Sequence, residues 1–172
     1  MTTTLVLGGT RSGKSAYAQT RAEEVARDAI CPIMIVTAQA FDDEMRARIE
    51  RHQADRDTRW ATLEAPLDVA GAISDLGASD VAVVDCLTLW LSNLMAAEAD
   101  IEAASFALVE AVSLTPARVW LVSNEVGWGI VPDNALARHF RDHAGRLHQH
   151  LAAAADEAIL VVAGLALPLK GR

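Results

Sequence analysis

Apolar and polar positions come in two alternating kinds of block along this chain. Short, β-branched apolar runs recur between longer segments whose apolar residues fall at helical spacing. TTLVLG (3–8) reads as a buried strand, followed by a glycine-rich turn and a helix over about residues 13–27. CPIMIVTA (31–38) is a second strand. DDEMRARIERHQADR (42–56) is helical, with Asp42 or Asp43 as cap, and PLDVAGAISDL (66–76) is a further short helix. DVAVVD (80–85) is a buried strand ending in an acid. CLTLWLSNLMAAEA (86–99) and DIEAASFALVEAVSL (100–114) are helices separated near Asp100, and RVWLVSN (118–124) is another strand. A long helix runs through PDNALARHFRDHAGRLHQHLAAAAD (132–156), with Leu136, Phe140, Leu147 and Leu151 as its apolar stripe. AILVVAG (158–164) and ALPLK (166–170) complete the pattern as strands.

Strands alternating with helices predict an α/β fold: a mostly parallel sheet flanked by helices on both faces. With 172 residues, no internal repeat and no linker-like stretch, one domain over 1–172 is expected. Ligands of such sheets sit at the carboxyl ends of the strands. Composition narrows the partners. The net charge of −8 argues against nucleic acid as the main partner. The two cysteines, Cys31 and Cys86, are far apart and form neither a disulfide framework nor a zinc motif. Charged residues or histidines interrupt every long apolar stretch, so no membrane span is expected. MTTTLVLGG lacks the basic start of a signal peptide, and a cytoplasmic location is expected.

GGTRSGKS (8–15) matches G-x-x-x-x-G-K-[ST] with a strand before it and a helix after it, the context a phosphate-binding loop requires. Backbone N–H groups from Gly9 to Ser15 would form the anion nest, with Gly8, Thr10, Arg11, Ser12 and Gly13 completing the loop. Lys14 is placed to reach the outer phosphates, and the Ser15 hydroxyl to ligate Mg2+. Such a loop wants an acid at the end of a neighbouring strand to hold water on the metal. Asp85, closing VAVVD, fills that role, or caps the helix that follows.

His52 extends the stripe Phe41, Met45, Ile49 and so faces inward. Arg48 and Arg56, one turn to either side, disfavour imidazolium and would grip a phosphate brought to the ring. A half-buried structural histidine is the alternative. Glu125 and Asn124 emerge at the end of RVWLVSN, where Glu125 can accept a substrate hydroxyl proton or hold a metal-bound water, or stand as a solvated loop acid. His139 and His143 have the spacing of a metal pair, but no cysteine or suitable acid lies nearby in sequence to complete a site.

Taken together, GGTRSGKS, DDEMRARIERHQADR, TLEAP, VVDCLTLWLSNL, VSNEVGWGIVPDNALARHFRDHAGRL and VVAGLALPLK resemble, in that order, the bifunctional adenosylcobinamide kinase / adenosylcobinamide-phosphate guanylyltransferase family of cobalamin synthesis. The resemblance covers nearly the whole chain. It implies a fold of the RecA-like phosphate-loop (P-loop) NTPase type and a homo-oligomer, a trimer. It implies two reactions with ATP or GTP as substrates. A nucleoside triphosphate phosphorylates adenosylcobinamide, and GTP then gives GMP to that phosphate through a guanylyl group on histidine, releasing pyrophosphate. The matching histidine is His52. Nucleotide contacts carried over by the motifs are Gly8 to Ser15, Val36, Thr37, Ala38, Gln53, Ala54, Asp55, Arg56 and Glu64, with Asp85 as the metal-side acid. GRLHQHLAAAAD departs from the pattern at His148, where asparagine is expected.

Two rival readings remain at this point. A plain small-molecule kinase would use the loop and Asp85 and leave His52 idle. A GTP-binding switch would require an N-K-x-D motif, which a chain with lysine only at positions 14 and 170 lacks.

Overall fold

The computed structural model describes residues 2–27, 30–38 and 59–171. Seven strands form one sheet: β1 (Thr3–Gly8), β2 (Ile33–Val36), β3 (Ala61–Glu64), β4 (Val81–Asp85), β5 (Arg118–Asn124), β6 (Glu157–Val162) and β7 (Leu165–Lys170). Their spatial order is β3-β2-β4-β5-β1-β6-β7, parallel throughout except for β7, which returns antiparallel to β6. Helices α1 (Lys14–Ala26), α2 (Val69–Ser74), α3 (Leu87–Ala96), α4 (Ile101–Leu114) and α5 (Ala135–Ala154) are the described helices. The segment expected to be helical over 42–56 lies outside the described residues.

The period-two pattern of the central strands divides the core. Val6 of β1, Val81 and Val83 of β4, and Trp120 and Val122 of β5 face α1, meeting Ala18, Ala22 and Ala26. Small residues along α1 let it lie close to the sheet. The alternate residues Leu5, Leu7, Ala82, Val84, Val119 and Leu121 face the opposite way, onto Ile73 of α2, Trp90 and Leu94 of α3, Leu108 and Val112 of α4, and Leu147 and Leu151 of α5. Central strands buried on both faces explain their continuous apolar runs.

Cap chemistry sets the helix starts. Asp68, Asp100 and Asn134 each accept from a first-turn N–H of α2, α4 and α5. The long helix therefore begins at Ala135, not Pro132. Its buried face is Ala144, Leu147, His148 and Leu151, while Leu136, expected in the apolar stripe, is exposed, since burial along the helix begins only at Ala144. The short helix is confined to 69–74. β3 was not expected from the sequence; its residues ATLE are all exposed and lack the alternation that marks a half-buried strand. At the other edge, Lys170 Nζ donates to the carbonyls of Ala152, Ala153 and Ala155, satisfying the C-terminus of α5.

Asn93 on α3 ties the β2 side of the sheet together. Its buried Nδ2 donates to the carbonyls of Thr37 (2.7 Å) and Pro66 (2.9 Å), just after β2 and β3. Asn93→Leu keeps the bulk but leaves both carbonyls without that donor, and is expected to cost about 2–4 kcal/mol of unfolding free energy. Urea denaturation checks this through a lowered midpoint at unchanged slope.

Candidate active site

The parallel strands bring their carboxyl ends to one edge. Register places Glu64 beside Val36, Val36 beside Asp85, and Asn124 beside Gly8. Most residues singled out in the sequence therefore converge on one rim. Val36, Thr37 and Ala38 close β2, Glu64 closes β3, Asp85 closes β4, Glu125 follows β5, and the loop Gly8–Ser15 follows β1. His52, Gln53, Ala54, Asp55 and Arg56 lie outside the described residues.

The loop is built around its glycines. A Cβ on Gly8 would lie 2.5 Å from both Ser12 Oγ and the Val161 carbonyl, so only glycine fits there. Gly13 is the N-cap of α1 with φ of 97°, in the left-handed region, and offers no side-chain acceptor to the helix's first N–H groups. No acid stands in the first turn. That end of α1 is thus left positive in dipole and open in hydrogen bonding, the arrangement that suits a phosphate. The Lys14 side chain is buried and Nζ donates to the Gly9 carbonyl at 3.2 Å, folding over the loop. The β6–β7 turn backs the loop from below, with Gly164 N–H donating to the Ser12 carbonyl at 2.8 Å. Two buried polar atoms at this rim, Ser12 Oγ and Asn124 Oδ1, have no hydrogen-bond partner among the described residues.

Asp85 lies on the rim, but its strand is not next to β1: β5 stands between them. The parallel crossovers order the strands this way and leave the width of one strand between loop and acid. Asp85 does not cap the following helix either, since Cys86 is the N-cap of α3. Its carboxylate and the Ser15 hydroxyl are hard oxygen donors of the kind Mg2+ prefers. Thr37 is fully buried, and its hydroxyl donates to the Cys86 carbonyl (2.7 Å) and accepts from the Cys86 N–H (3.0 Å), fastening β2 to the β4–α3 junction. Glu64 is exposed.

Glu125 is held on three sides. Its N–H donates to the Gly8 carbonyl at 3.0 Å, continuing the β1–β5 ladder into the phosphate loop. Oε1 accepts from the Gly127 N–H at 2.8 Å, and Oε2 lies 3.8 Å from His148 Nδ1. The loop beyond it is strapped to α5: Arg141 donates to the carbonyls of Gly127 and Ile130, and Arg138 to those of Pro132 and Asp133. Sequence reasoning passed over Arg138, Arg141, Thr88 and Ser123, because their partners lie in other elements. His139 and His143 join no metal-ligating cluster among the described residues. Burial lowers the pKa of His148 below its ordinary value, against the opposing pull of Glu125.

The family model for cobinamide kinase / cobinamide phosphate guanyltransferase matches residues 4–169. The chain is 44% identical over 170 residues to the bifunctional adenosylcobalamin biosynthesis protein CobP of Pseudomonas aeruginosa, covering 97% of this chain and 96% of the relative. It is 44% identical over 182 residues to the bifunctional adenosylcobalamin biosynthesis protein CobU of Salmonella typhimurium, covering 96% and 98%. Among solved structures, a Pyrococcus horikoshii OT3 protein superposes with a TM-score of 0.53 at 12% identity, covering 99% of this chain and 86% of that one. The P4 protein of bacteriophage phi13 does so at 0.50 and 13%, covering 96% and 53%. At those identities the likeness is one of fold alone.

Gly8→Ala is expected to lower the melting temperature and abolish nucleotide binding, whereas Gly9→Ala, with no atom within 4 Å of its added Cβ, is expected to stay within about 0.5 kcal/mol of the parent. Paired thermal melts and nucleotide titrations check both. For His148, a folded-state pKa below the unfolded value means that the unfolded chain takes the proton first. This histidine then leaves stability intact above about pH 6.5 and reduces it as the pH falls through and below that value. Urea midpoints of the parent are expected to drop more steeply between about pH 7 and 5 than those of His148→Gln; equal slopes would contradict it.

Proposed function

The chain belongs to the cobinamide kinase / cobinamide phosphate guanyltransferase family, and from that premise we propose that one nucleotide site on the carboxyl rim of the sheet carries two successive transfers. The protein is a bifunctional enzyme of adenosylcobalamin biosynthesis, a kinase and a guanylyltransferase. The observation that carries the one-site reading is the glycine-capped N-terminus of α1, with Lys14 folded over it, in a chain that the family matches along nearly its whole length.

In the first transfer the loop holds the triphosphate of ATP or GTP, its N–H groups and Lys14 gathering the charge. The aminopropanol hydroxyl of adenosylcobinamide attacks the γ-phosphorus. The bond from that phosphorus to the β-bridging oxygen breaks, and the hydroxyl proton passes to Glu125. In the second transfer an imidazole nitrogen of His52 attacks the α-phosphorus of GTP, and pyrophosphate leaves. An oxygen of adenosylcobinamide phosphate then attacks the guanylyl phosphorus, the bond to His52 breaks, and adenosylcobinamide-GDP forms. Arg48 and Arg56, a helical turn to either side of His52 in the sequence reading, neutralise the α-phosphate during both displacements. Val36, Ala38, Glu64 and Gln53 to Arg56 are the remaining nucleotide contacts in this reading. Ser15 and Asp85 would hold Mg2+, which when bound neutralises charge between the outer phosphates.

In the same proposal residues 1–172 act as one catalytic unit, in the cytoplasm, as a homo-oligomer. No helix among the described residues is long and apolar enough to cross a membrane. Leu165, Leu167 and Leu169 on the edge strand β7 are exposed, and uncovered apolar edges of this kind are usually met by another chain.

The test is covalent labelling. Incubation with Mg2+ and GTP labelled at the α-phosphate, followed by denaturation, is expected to leave acid-labile, base-stable label on the parent and none on His52→Ala. Nucleotide bound without any retained label would return the protein to a plain kinase.

A further inference from the structure

α5 places His148 beneath the end of β5, buried, with a partner for each ring nitrogen on another element. Nε2 lies 2.7 Å from Ser123 Oγ, and Nδ1 lies 3.8 Å from Glu125 Oε2. Which nitrogen carries the proton follows from the carboxylate: it only accepts, so the nitrogen facing it bears the proton and Nε2 accepts, a direction with which the groups behind Ser123 are compatible. The Asn124 N–H donates to Thr88 Oγ1 at 2.7 Å. That hydroxyl, having accepted, can send its own proton on to Ser123 Oγ at 3.5 Å. Ser123 then donates to Nε2. A neutral imidazole that accepts at Nε2 bears its proton at Nδ1, and Nδ1 is the nitrogen facing the carboxylate.

We propose that Asn124 N–H, Thr88, Ser123 and His148 form a one-way hydrogen-bond chain whose last N–H faces the Glu125 carboxylate across 3.8 Å, which makes His148 the positioning residue for that carboxylate in the phosphoryl transfer. The proposal rests on the reading of Glu125 as the acceptor of the substrate hydroxyl proton. The Gly127 N–H holds Oε1 by a hydrogen bond, and the Nδ1–H dipole attracts Oε2 from 3.8 Å, farther than a hydrogen bond reaches. Because Nδ1 already carries a proton, His148 cannot store the one Glu125 receives; it orients and does not relay. The burial that holds this imidazole neutral keeps the chain's direction at neutral pH. Glu125 is the one charged group the structure sets against the ring among the described residues.

Two readouts test it. In protein labelled with 15N-histidine, two-bond nitrogen–proton correlation near pH 7.5 is expected to show His148 as the Nδ1–H tautomer, with loss of that pure pattern in Ser123→Ala. The His148 signal is assigned by its disappearance in His148→Asn. An Nε2–H tautomer or an imidazolium in the parent overturns the proposal. In kinetics with ATP and adenosylcobinamide, His148→Ala is expected to lower kcat about 10- to 100-fold with KM for ATP nearly unchanged, the signature of a misplaced group rather than lost binding. His148→Asn, whose amide N–H can stand where Nδ1–H stood, is expected to restore most of that loss. If the asparagine variant is folded and as slow as the alanine variant, the positioning role is overturned. Glu125→Gln separates the two levels: parental kcat in that variant overturns the reading of Glu125 and the positioning role with it, even where the tautomer is as proposed. A kcat lowered in Glu125→Gln and not lowered further in the double variant with His148→Ala supports both.

Discussion

The parallel pairing of β1 with β5 holds the whole site in register. β1 delivers the phosphate loop and β5 delivers Glu125, and the ladder between them does not stop at the strand ends. It runs on through the Glu125 N–H to the Gly8 carbonyl, so loop and acid share one backbone frame. The close contacts at Gly8 belong to the same constraint. The Val161 carbonyl on the far side of β1 and Ser12 within the loop both press where a side chain would begin. Strands buried on both faces give that frame its rigidity, since neither face can relax toward solvent.

Around this frame the chemistry is divided by strand. In the proposed reading the glycine-capped end of α1 gathers phosphate charge, the end of β4 offers Asp85 one strand away, and the end of β5 offers Glu125, whose following loop α5 straps. A protein of net charge −8 that handles polyphosphates needs its positive potential concentrated where the ligand binds. In the proposed reading Lys14, one of only two lysines in the chain, and the N–H groups at the start of α1 supply it locally. An anchored triphosphate presents different phosphorus atoms to different nucleophiles, and under the proposal that is how one loop serves a hydroxyl at the γ-phosphorus and an imidazole at the α-phosphorus.

Much of the fold was legible because its signals are local. Apolar runs marked the buried parallel strands, Asp100 marked the break between two helices, and the loop motif stood between a strand and a helix. What was not legible depends on distant partners. β3 is exposed along its length and becomes a strand only because β2 offers an edge. The antiparallel return of β7 and the placement of β5 between β1 and β4 are choices of topology that no periodicity encodes. Leu136 fits the helical stripe yet is exposed, because the helix is buried only from Ala144 onward. His148 stands out in the sequence only as a departure from the family's asparagine, and its role is not legible there because its two partners come from β5 and the residue after it. His52 is a reading of sequence pattern and family resemblance, lying outside the described residues.

In the proposed reading a single phosphate loop serves both transfers. The most direct measurement is to assay Lys14→Ala, in folded protein, for γ-phosphate transfer to adenosylcobinamide and for guanylyl transfer from GTP to separately supplied adenosylcobinamide phosphate. Loss of both activities together is expected. Loss of phosphorylation with guanylyl transfer intact would show that the second reaction draws its GTP from another site, and would contradict it.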